Sequence, residues 1–147
     1  MHSWLADLLV DPASGQQFAL EDSTTSVDGD VETGVLTTPV STFPVRSGIP
    51  RFTDPQGETR TEASFSFKWS RQGDYDSPSF ERWYTAWLLE KYGFADAADA
   101  ARFFSGKRRV LEVGCGSGLS AAVSRTGVGS GSQWVGLDLS DAVDVAQ

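Results

Sequence analysis

The clearest hydrophobic pattern in the chain predicts a helix between residues 77 and 93. Five apolar side chains recur there at the spacing of one helix face: Phe80, Trp83, Tyr84, Trp87 and Leu88. Ser77 followed by Pro78 is typical of a helix start, and Gly93 is typical of a helix end. We expect this aromatic face to pack in a core or between domains, and a wall that faces a substrate is the alternative.

Residues 107–147 alternate between strand and helix patterns. Val110–Val113 is a short apolar run typical of a buried strand, and Gln133–Leu139 predicts a second strand. A glycine-rich turn and a helix over Leu119–Arg125 separate the two, and Ser140-Asp141 begins a further helix. This order is the opening of a doubly wound, Rossmann-like α/β fold. Because such a sheet has more than two strands, we expect the fold to be incomplete, and the chain to be a fragment or to be completed by a partner chain or oligomer.

The first sixty residues predict a small, mostly β unit. Ser3–Val10 has apolar residues at helical spacing, and a turn follows at Asp11-Pro12. Three short strand candidates come next: Gln17–Leu20, Gly34–Thr38 and Thr42–Val45. Residues 50–60 are polar and suit a linker.

An aromatic segment connects this unit to the α/β pattern. Phe65–Trp69 alternates large aromatic and polar residues, as a strand or an extended arm does, and Ala95–Phe104 predicts a second helix. We therefore predict three segments: the β unit over 1–60, an aromatic arm and helical segment over 61–106, and the truncated start of the α/β domain over 107–147.

Composition and charge exclude several classes of function. Of the 147 residues, 39% are hydrophobic, and 12 basic against 20 acidic residues give a net charge of −8. The chain is therefore globular, and a poor general partner for nucleic acid or anionic lipid. Without an apolar run of about 18 residues, we expect a cytoplasmic protein with no membrane contact. A single cysteine, Cys115, and a single histidine, His2, leave no intrachain disulfide and too few ligands for zinc.

The residues that carry chemistry are a glycine loop and two acids. Glu112 lies in the first predicted strand and Asp138 ends the second, 138 − 118 = 20 positions after the last loop glycine, Gly118. The returning helix brings Asp138 beside the loop, where a carboxylate accepts hydrogen bonds from both ribose hydroxyls. The loop itself consists of Gly114, Cys115, Gly116, Ser117 and Gly118.

The position of the third glycine favours an adenosyl ligand without phosphate. A dinucleotide site has the pattern G-x-G-x-x-G and holds pyrophosphate at a helix N-terminus. Here Leu119 stands where the third glycine is expected, and Gly118 comes one residue early. A β-carbon at Gly114 or Gly116 would fill the space that such a ligand needs. A glycine turn in some other α/β domain and a dinucleotide-dependent oxidoreductase are the alternatives.

These residues resemble a known family. Val110–Gly118 followed by Gly136–Ser140 is similar to the first two sequence motifs of class I S-adenosylmethionine-dependent methyltransferases. The resemblance implies that Glu112 holds the methionine amino group, directly or through water, that the loop lies under the cofactor, and that Asp138 binds the ribose. It places Leu139 among the cofactor-binding positions. The segment Phe65–Trp69 resembles an arm that precedes the cofactor fold in methyltransferases of similar layout, which would place Trp69 and Arg71 near the cofactor, but packing is the preferred interpretation of this segment.

The N-terminal unit resembles the small zinc-ribbon-type domain that many methyltransferases carry or bind. The resemblance rests on the short helix, on Asp11-Pro12 and on the segment Phe43–Pro50. In that family a Cys-Pro-x-Cys turn precedes the β unit, and Asp11-Pro12-Ala13-Ser14 replaces it here. Metal binding is therefore expected to be lost.

The leading interpretation is a methyltransferase of unknown acceptor that transfers the sulfonium methyl group by in-line displacement. No catalytic residue is named, because the acceptor side belongs to later strands. Cys115 precedes a helix, which could lower the pKa of a thiol, but without a histidine nearby it is better explained as a small packed residue. The main alternative is a non-catalytic adaptor or activator subunit of a methyltransferase.

Overall fold

The computed structural model describes residues 1–53, 77–124 and 132–146 of the chain. It is a mixed α/β structure with a four-stranded antiparallel sheet and a small parallel sheet. The chain divides into two compact units, Met1–Gly57 and Glu58–Gln147. The predicted aromatic arm Phe65–Trp69, with Arg71, lies outside the described residues.

Unit 1 is a meander of four antiparallel strands in the order β1-β2-β3-β4. A helix of one turn, α1, precedes the sheet. The predicted helix over Ser3–Val10 is thus too long, because the chain turns at Asp7 and then forms a bridge between Val10 and Gln17. The elements are α1 Ser3–Ala6, β1 Ala19–Thr25, β2 Val31–Thr37, β3 Thr42–Arg46 and β4 Ile49–Pro50.

A single apolar cluster holds unit 1 together. Its buried members are Phe18, Val31, Leu36 and Val45, and Met1, Leu9, Leu20 and Phe43 pack against them. In β2 the buried positions are Val31, Gly34 and Leu36, and the pairing with β1 is irregular opposite the start of the strand, between Val31 and Gly34. Ser47 and Gly48 both have positive φ angles, of 47° and 71°, in the predicted turn between β3 and β4. Two positive φ angles are typical of a tight hairpin turn of type I′.

Unit 2 contains the predicted helices and the parallel strand pair. The helix predicted from the aromatic stripe is confirmed: it begins at Pro78 after the Ser77 cap, whose hydroxyl accepts a hydrogen bond from the Phe80 amide, and it ends before Gly93. The elements are α2 Pro78–Tyr92, α3 Ala97–Ser105, β5 Arg109–Val113, α4 Leu119–Ser124 and β6 Gln133–Leu137, followed by a short 3-10 helix over Asp141–Val145.

The parallel pairing of β5 and β6 is in register from Arg109↔Gln133 to Val113↔Leu137. One face of this pair is covered: Phe104 of α3 lies against Trp134 of β6, with ring centroids 5.2 Å apart, and α3 contacts α4. The helices thus lie on the same side of the two strands as Glu112, Trp134 and Gly136.

The prediction that Val110–Val113 is a buried strand is wrong, because the other face of the β5–β6 pair is exposed. Leu111 is 63% exposed, Val113 74% and Leu137 47%. An apolar run of this kind normally has helices on both faces, and among the described residues only one face is covered. Similarly, Leu88 is the buried residue of α2, whereas Trp83 of the predicted packing face is 60% exposed.

No helix in the described ranges is both long enough and apolar enough to cross a membrane.

Candidate functional site

The glycine loop lies at the carboxyl end of the two parallel strands. The amides of Gly114 and Cys115 both donate to the carbonyl oxygen of Leu137, at 2.7 and 3.1 Å. The Gly118 amide donates to the Cys115 carbonyl at 2.9 Å, which closes the loop ahead of α4. The loop is therefore fixed to the end of β6 and not only to its own strand.

The backbone of the loop explains why three of its residues are glycine. Gly114, Gly116 and Gly118 have φ angles of 76°, 54° and 78°. This left-handed region is costly for residues with a β-carbon. The sequence pattern thus follows from the backbone path alone, before any ligand is considered.

Gly114 and Gly118 differ in the space around them. A β-carbon on Gly114 would meet nothing within 4 Å, so the backbone here is open to a ligand. A β-carbon on Gly118 would lie 3.0 Å from the β-carbon of Ala146 in the segment after β6. Gly118 therefore permits close packing of two chain segments, which is a different role from the ligand clearance expected of the loop.

Asp138 ties the glycine loop to the end of β6. One carboxylate oxygen accepts the Gly116 amide at 2.7 Å, and the other accepts the amide and the hydroxyl of Ser140, at 2.8 and 2.6 Å. Burial by itself raises the pKa of Asp138, but the hydrogen bonds from Ser140, Gly116 and Leu139 outweigh it and lower the pKa below its usual value. The carboxylate is thus held ionised beside the loop, and the oxygen bound by Gly116 retains capacity for a further donor.

Glu112 lies on the helix-covered face of β5, and both of its carboxylate oxygens have donors. Ser120 of α4 donates its hydroxyl to one oxygen, and the indole nitrogen of Trp134 donates to the other at 3.1 Å. Tyr84 of α2 reaches the same group: burial raises the pKa of Tyr84, a hydrogen bond with Ser120 opposes this, and the charge of Glu112 raises it further. Glu112 therefore belongs to a polar network that joins α2, α4 and β6.

Cys115 is a packed residue, as its surroundings in the loop require. Its side chain is only 7% exposed, and a β-carbon on Gly136 would lie 2.8 Å from its sulfur. Burial, followed by the negative charges of Asp138 and Glu112, raises the pKa of the Cys115 thiol to about 11. The thiol is thus neutral at physiological pH and unsuited to act as a nucleophile.

Leu139 is the remaining residue that the sequence assigns to the site. It follows Asp138 directly and is 68% exposed, close in sequence to the exposed Leu137. The structure therefore brings together the loop, Cys115 and Asp138, places Glu112 against the neighbouring helices, and leaves Leu139 at the surface.

Charge is distributed unequally along the parallel pair. Glu112 and Asp138 both act on the Cys115 thiol and lie toward the carboxyl end of the strands. The basic residues Lys107, Arg108 and Arg109 lie at the opposite end, where Arg109 donates to the Gln133 side chain at 2.9 Å. The glycine loop thus has a negative environment, which favours a cationic ligand over a pyrophosphate.

Comparisons of the chain with family models, curated proteins and solved structures find no match. The assignment of the site therefore rests on its residues and their geometry.

Sequence reasoning missed four residues that shape the site. Ser140 holds Asp138, Ser120 and Trp134 hold Glu112, and Gly136 makes room for Cys115. The register of β5 and β6 could have identified two of these residues. Gly136 is the strand partner of Glu112, and Trp134 is the partner of Val110 on the same face of the sheet. Ser140 follows Asp138 by two residues, a spacing at which an aspartate side chain commonly forms local hydrogen bonds, as in an Asx turn.

A cleft of about 450 Å³ lies among the helices of unit 2. Its lining is mainly apolar and includes Leu88, Leu89, Ala101, Leu119 and Ala122, together with the polar residues Ser77 and Glu81. It contains none of the loop residues, Glu112 or Asp138, and is therefore separate from the candidate site.

Proposed function

We propose that unit 2 contains the S-adenosylmethionine-binding part of a class I methyltransferase, with an acceptor that is not identified. In this proposal β5 and β6 are two strands of a doubly wound, Rossmann-like sheet. The observation that carries it is the bond from the Gly116 amide to Asp138. It places an ionised acid beside a loop whose backbone is open at Gly114.

The charges of the site support an adenosyl ligand over a dinucleotide. S-adenosylmethionine carries a sulfonium and an ammonium group, whereas a dinucleotide carries two phosphates. Two carboxylates lie close to Cys115, and the basic residues lie at the far end of the strands. An anion would be repelled here, so a dinucleotide-dependent oxidoreductase is disfavoured.

The residues have defined roles under this proposal. The cofactor supplies an electrophilic methyl group, and methyl transfer depends mainly on positioning. Asp138 would accept hydrogen bonds from the ribose hydroxyls, the loop would lie against the adenosyl group, and Leu139 would provide an apolar surface. Glu112 would interact with the amino group. We name no residue for removing a proton from the acceptor.

A second candidate function is an adaptor or activator subunit of a methyltransferase. The uncovered face of β5 and β6, with Leu111 and Val113 exposed, favours it, because an apolar sheet face of this kind is usually covered by protein. An adaptor does not need to bind the cofactor.

Calorimetric titration with S-adenosylhomocysteine tests the proposal and separates it from the alternatives. We expect saturable binding of one ligand per chain and no binding of NAD under the same conditions. Absence of binding by the folded chain would reject the cofactor site and favour the adaptor. Binding of NAD in place of the adenosyl ligand would favour the oxidoreductase.

A further inference from the structure

The carboxylate of Glu112 is fixed by donors on two different elements. Ser120 in α4 and Trp134 in β6 each hold one oxygen, and Trp134 is in turn packed against Phe104 of α3. Rotation of the carboxylate would break both bonds. Charged acceptors form the stronger class of hydrogen bonds, so this arrangement restricts the orientation of Glu112 more than packing alone would.

Glu112 retains capacity for further hydrogen-bond donors. A carboxylate has about four acceptor positions, and the two described donors occupy two of them. Both donors are neutral, so the negative charge is not compensated by a cation among the described residues. An ammonium group would form a charge-assisted hydrogen bond with this carboxylate, which is stronger than the bonds from its two neutral donors.

We propose that Ser120 and Trp134 are positioning residues, which hold Glu112 for the ammonium group of a ligand and give the site its preference for adenosyl compounds with an amino acid tail. The proposal rests on the proposed function. It assigns to α4 and β6 a role in ligand selection that the glycine loop and Asp138 do not have.

Two ligands that differ in the amino acid tail test this role. S-adenosylhomocysteine has the ammonium group, and 5′-methylthioadenosine has the same adenosyl group without it. For Ser120→Ala we expect about tenfold weaker binding of S-adenosylhomocysteine, in line with the loss of one donor to a charged group, and unchanged binding of 5′-methylthioadenosine. Ser124→Ala, one turn further along α4, is the matched control.

Trp134→Phe keeps an aromatic ring against Phe104 but removes the N–H donor, and it should give the same selective loss. Equal weakening of both ligands, or no change for either, would show that the network is only structural and would overturn the proposal. If the unmodified chain binds neither ligand, the proposed function itself fails, which is a different outcome.

The buried carboxylate of Asp11 supports a separate inference, from unit 1 alone. Its side chain is fully buried. The Ala13 amide donates to one oxygen at 3.0 Å, and the hydroxyls of Ser14 and Thr38 donate to the other at 2.7 and 3.1 Å. Ser41 joins this group through its amide, which donates to the Thr38 hydroxyl at 3.0 Å, and its side chain helps to lower the pKa of Asp11. Four polar side chains therefore meet at one point.

The four residues come from two turns that share one sequence pattern. Asp11-Pro12-Ala13-Ser14 and Thr38-Pro39-Val40-Ser41 each have polar residues at positions one and four and proline at position two. Structural zinc sites of the ribbon type take two ligands with this spacing from each of two turns. Carboxylate and hydroxyl groups in this number do not suit zinc, and no metal-holding group of three or more His, Cys, Asp and Glu occurs in the described parts of the chain.

We propose that the Asp11 cluster occupies the position of a four-ligand metal site, with hydrogen bonds to one carboxylate joining the turns that a metal ion would otherwise join. The direct test is the variant D11C/S14C/T38C/S41C in the full chain. We expect it to bind one zinc or cobalt ion, to show thiolate-to-cobalt charge-transfer absorption, and to lose thermal stability when a chelator is added.

The control variant S14C/S41C provides only one cysteine per turn and should bind metal at least a hundredfold more weakly. If the four-cysteine variant is unfolded without metal, zinc should restore its β-sheet circular dichroism. Failure of zinc to bind, or equal binding by the two variants, would show that the four positions do not have the geometry of a metal site.

Discussion

The amide of Gly116 donates a hydrogen bond to the carboxylate of Asp138 at 2.7 Å. This bond joins the loop after β5 to the end of β6. It means that Asp138 shapes the loop and is also the candidate partner of the ribose hydroxyls. Replacement of Asp138 is therefore expected to affect both loop structure and ligand affinity.

For Asp138→Ala we predict weaker binding of S-adenosylhomocysteine and of 5′-methylthioadenosine by the same factor, because both ligands contain the ribose. Loss of a charged acceptor should reduce the binding free energy by roughly 1.5–3 kcal/mol. Calorimetry measures both affinities, and Glu90→Ala, an exposed acid on α2, is the control. Unchanged affinity in a folded Asp138→Ala variant would remove Asp138 from the site.

The elements that the sequence predicts well are those with local signals. Helix α2 has both a periodic apolar stripe and residues that mark its two ends, Ser77 and Gly93, so its limits follow from neighbouring residues. The glycine loop and Asp138 are also adjacent in the structure, as the spacing of the parallel strands requires.

The features that the sequence does not predict depend on contacts between distant residues. Val110–Val113 is apolar, but the pattern cannot tell whether one face or both are covered, and Leu111 proves exposed. The partners of Glu112 also come from other elements, so its bonds to Ser120 and Trp134 could not be predicted from spacing. The closeness of the two turns around Asp11 likewise depends on the meander of unit 1.

The contact between Gly136 and Cys115 leads to a stability prediction. A β-carbon at Gly136 would lie 2.8 Å from the Cys115 sulfur, which is too close for either group to stay in place. We predict that Gly136→Ala lowers the free energy of unfolding by roughly 1–3 kcal/mol, the usual cost of overpacking. In a Cys115→Ala background the same change should cost much less, because the sulfur is absent. Urea unfolding of the four variants measures this, and equal costs in both backgrounds would contradict the contact.

The buried Cys115 thiol should also make stability depend on alkaline pH. Burial, with the charges of Asp138 and Glu112, raises its pKa from 9.0 to about 11 in the folded chain. A group whose pKa is raised by folding stabilises the folded state fully below the unfolded value and loses this contribution as the pH rises to the folded value. We predict a loss of stability between about pH 9 and pH 11 that is smaller in Cys115→Ala. Thermal unfolding across this range provides the measurement, and identical profiles would disprove the assignment.

The lowered pKa of Asp11 predicts the opposite pH dependence of stability, in the acidic range. The Ser14 hydroxyl, with further help from Ala13, Ser41 and Thr38, lowers the pKa of Asp11 although burial opposes this. The resulting stability is present above the unfolded pKa and is lost as the pH falls through the folded value. We predict that Asp11→Asn lowers the free energy of unfolding of unit 1 at neutral pH, because a charged acceptor is lost, and weakens the acid dependence of that stability. Asp7→Asn, at a turn beside α1, is the control in the same unfolding experiment.

If unit 1 has lost its metal, the unmodified protein should contain no stoichiometric zinc. A chelator should then leave its melting temperature unchanged, because hydrogen bonds to Asp11 and not metal bonds hold the two turns. Metal analysis of purified protein, together with thermal unfolding in the presence of chelator, measures both quantities. One zinc ion per chain would contradict the prediction.

Among the residues that the structure describes, nothing covers one face of β5 and β6, and this face predicts self-association of the chain. Leu111, Val113 and Leu137 form an apolar surface on this face. Such a surface and unpaired strand edges promote pairing with another chain. The net charge of −8 opposes association, but repulsion between charges is screened within about 8–10 Å at ordinary salt. We therefore expect light scattering to detect dimers or larger species, more so at high salt, where the repulsion is weaker.

Val113→Lys should shift the protein toward the monomer, since a charge on this face is costly to bury. Val27→Lys, in the fully exposed turn before β2, adds the same charge without changing the face and should leave the oligomers unaffected. An unmodified chain that remains monomeric at every salt concentration would show that this face does not drive association.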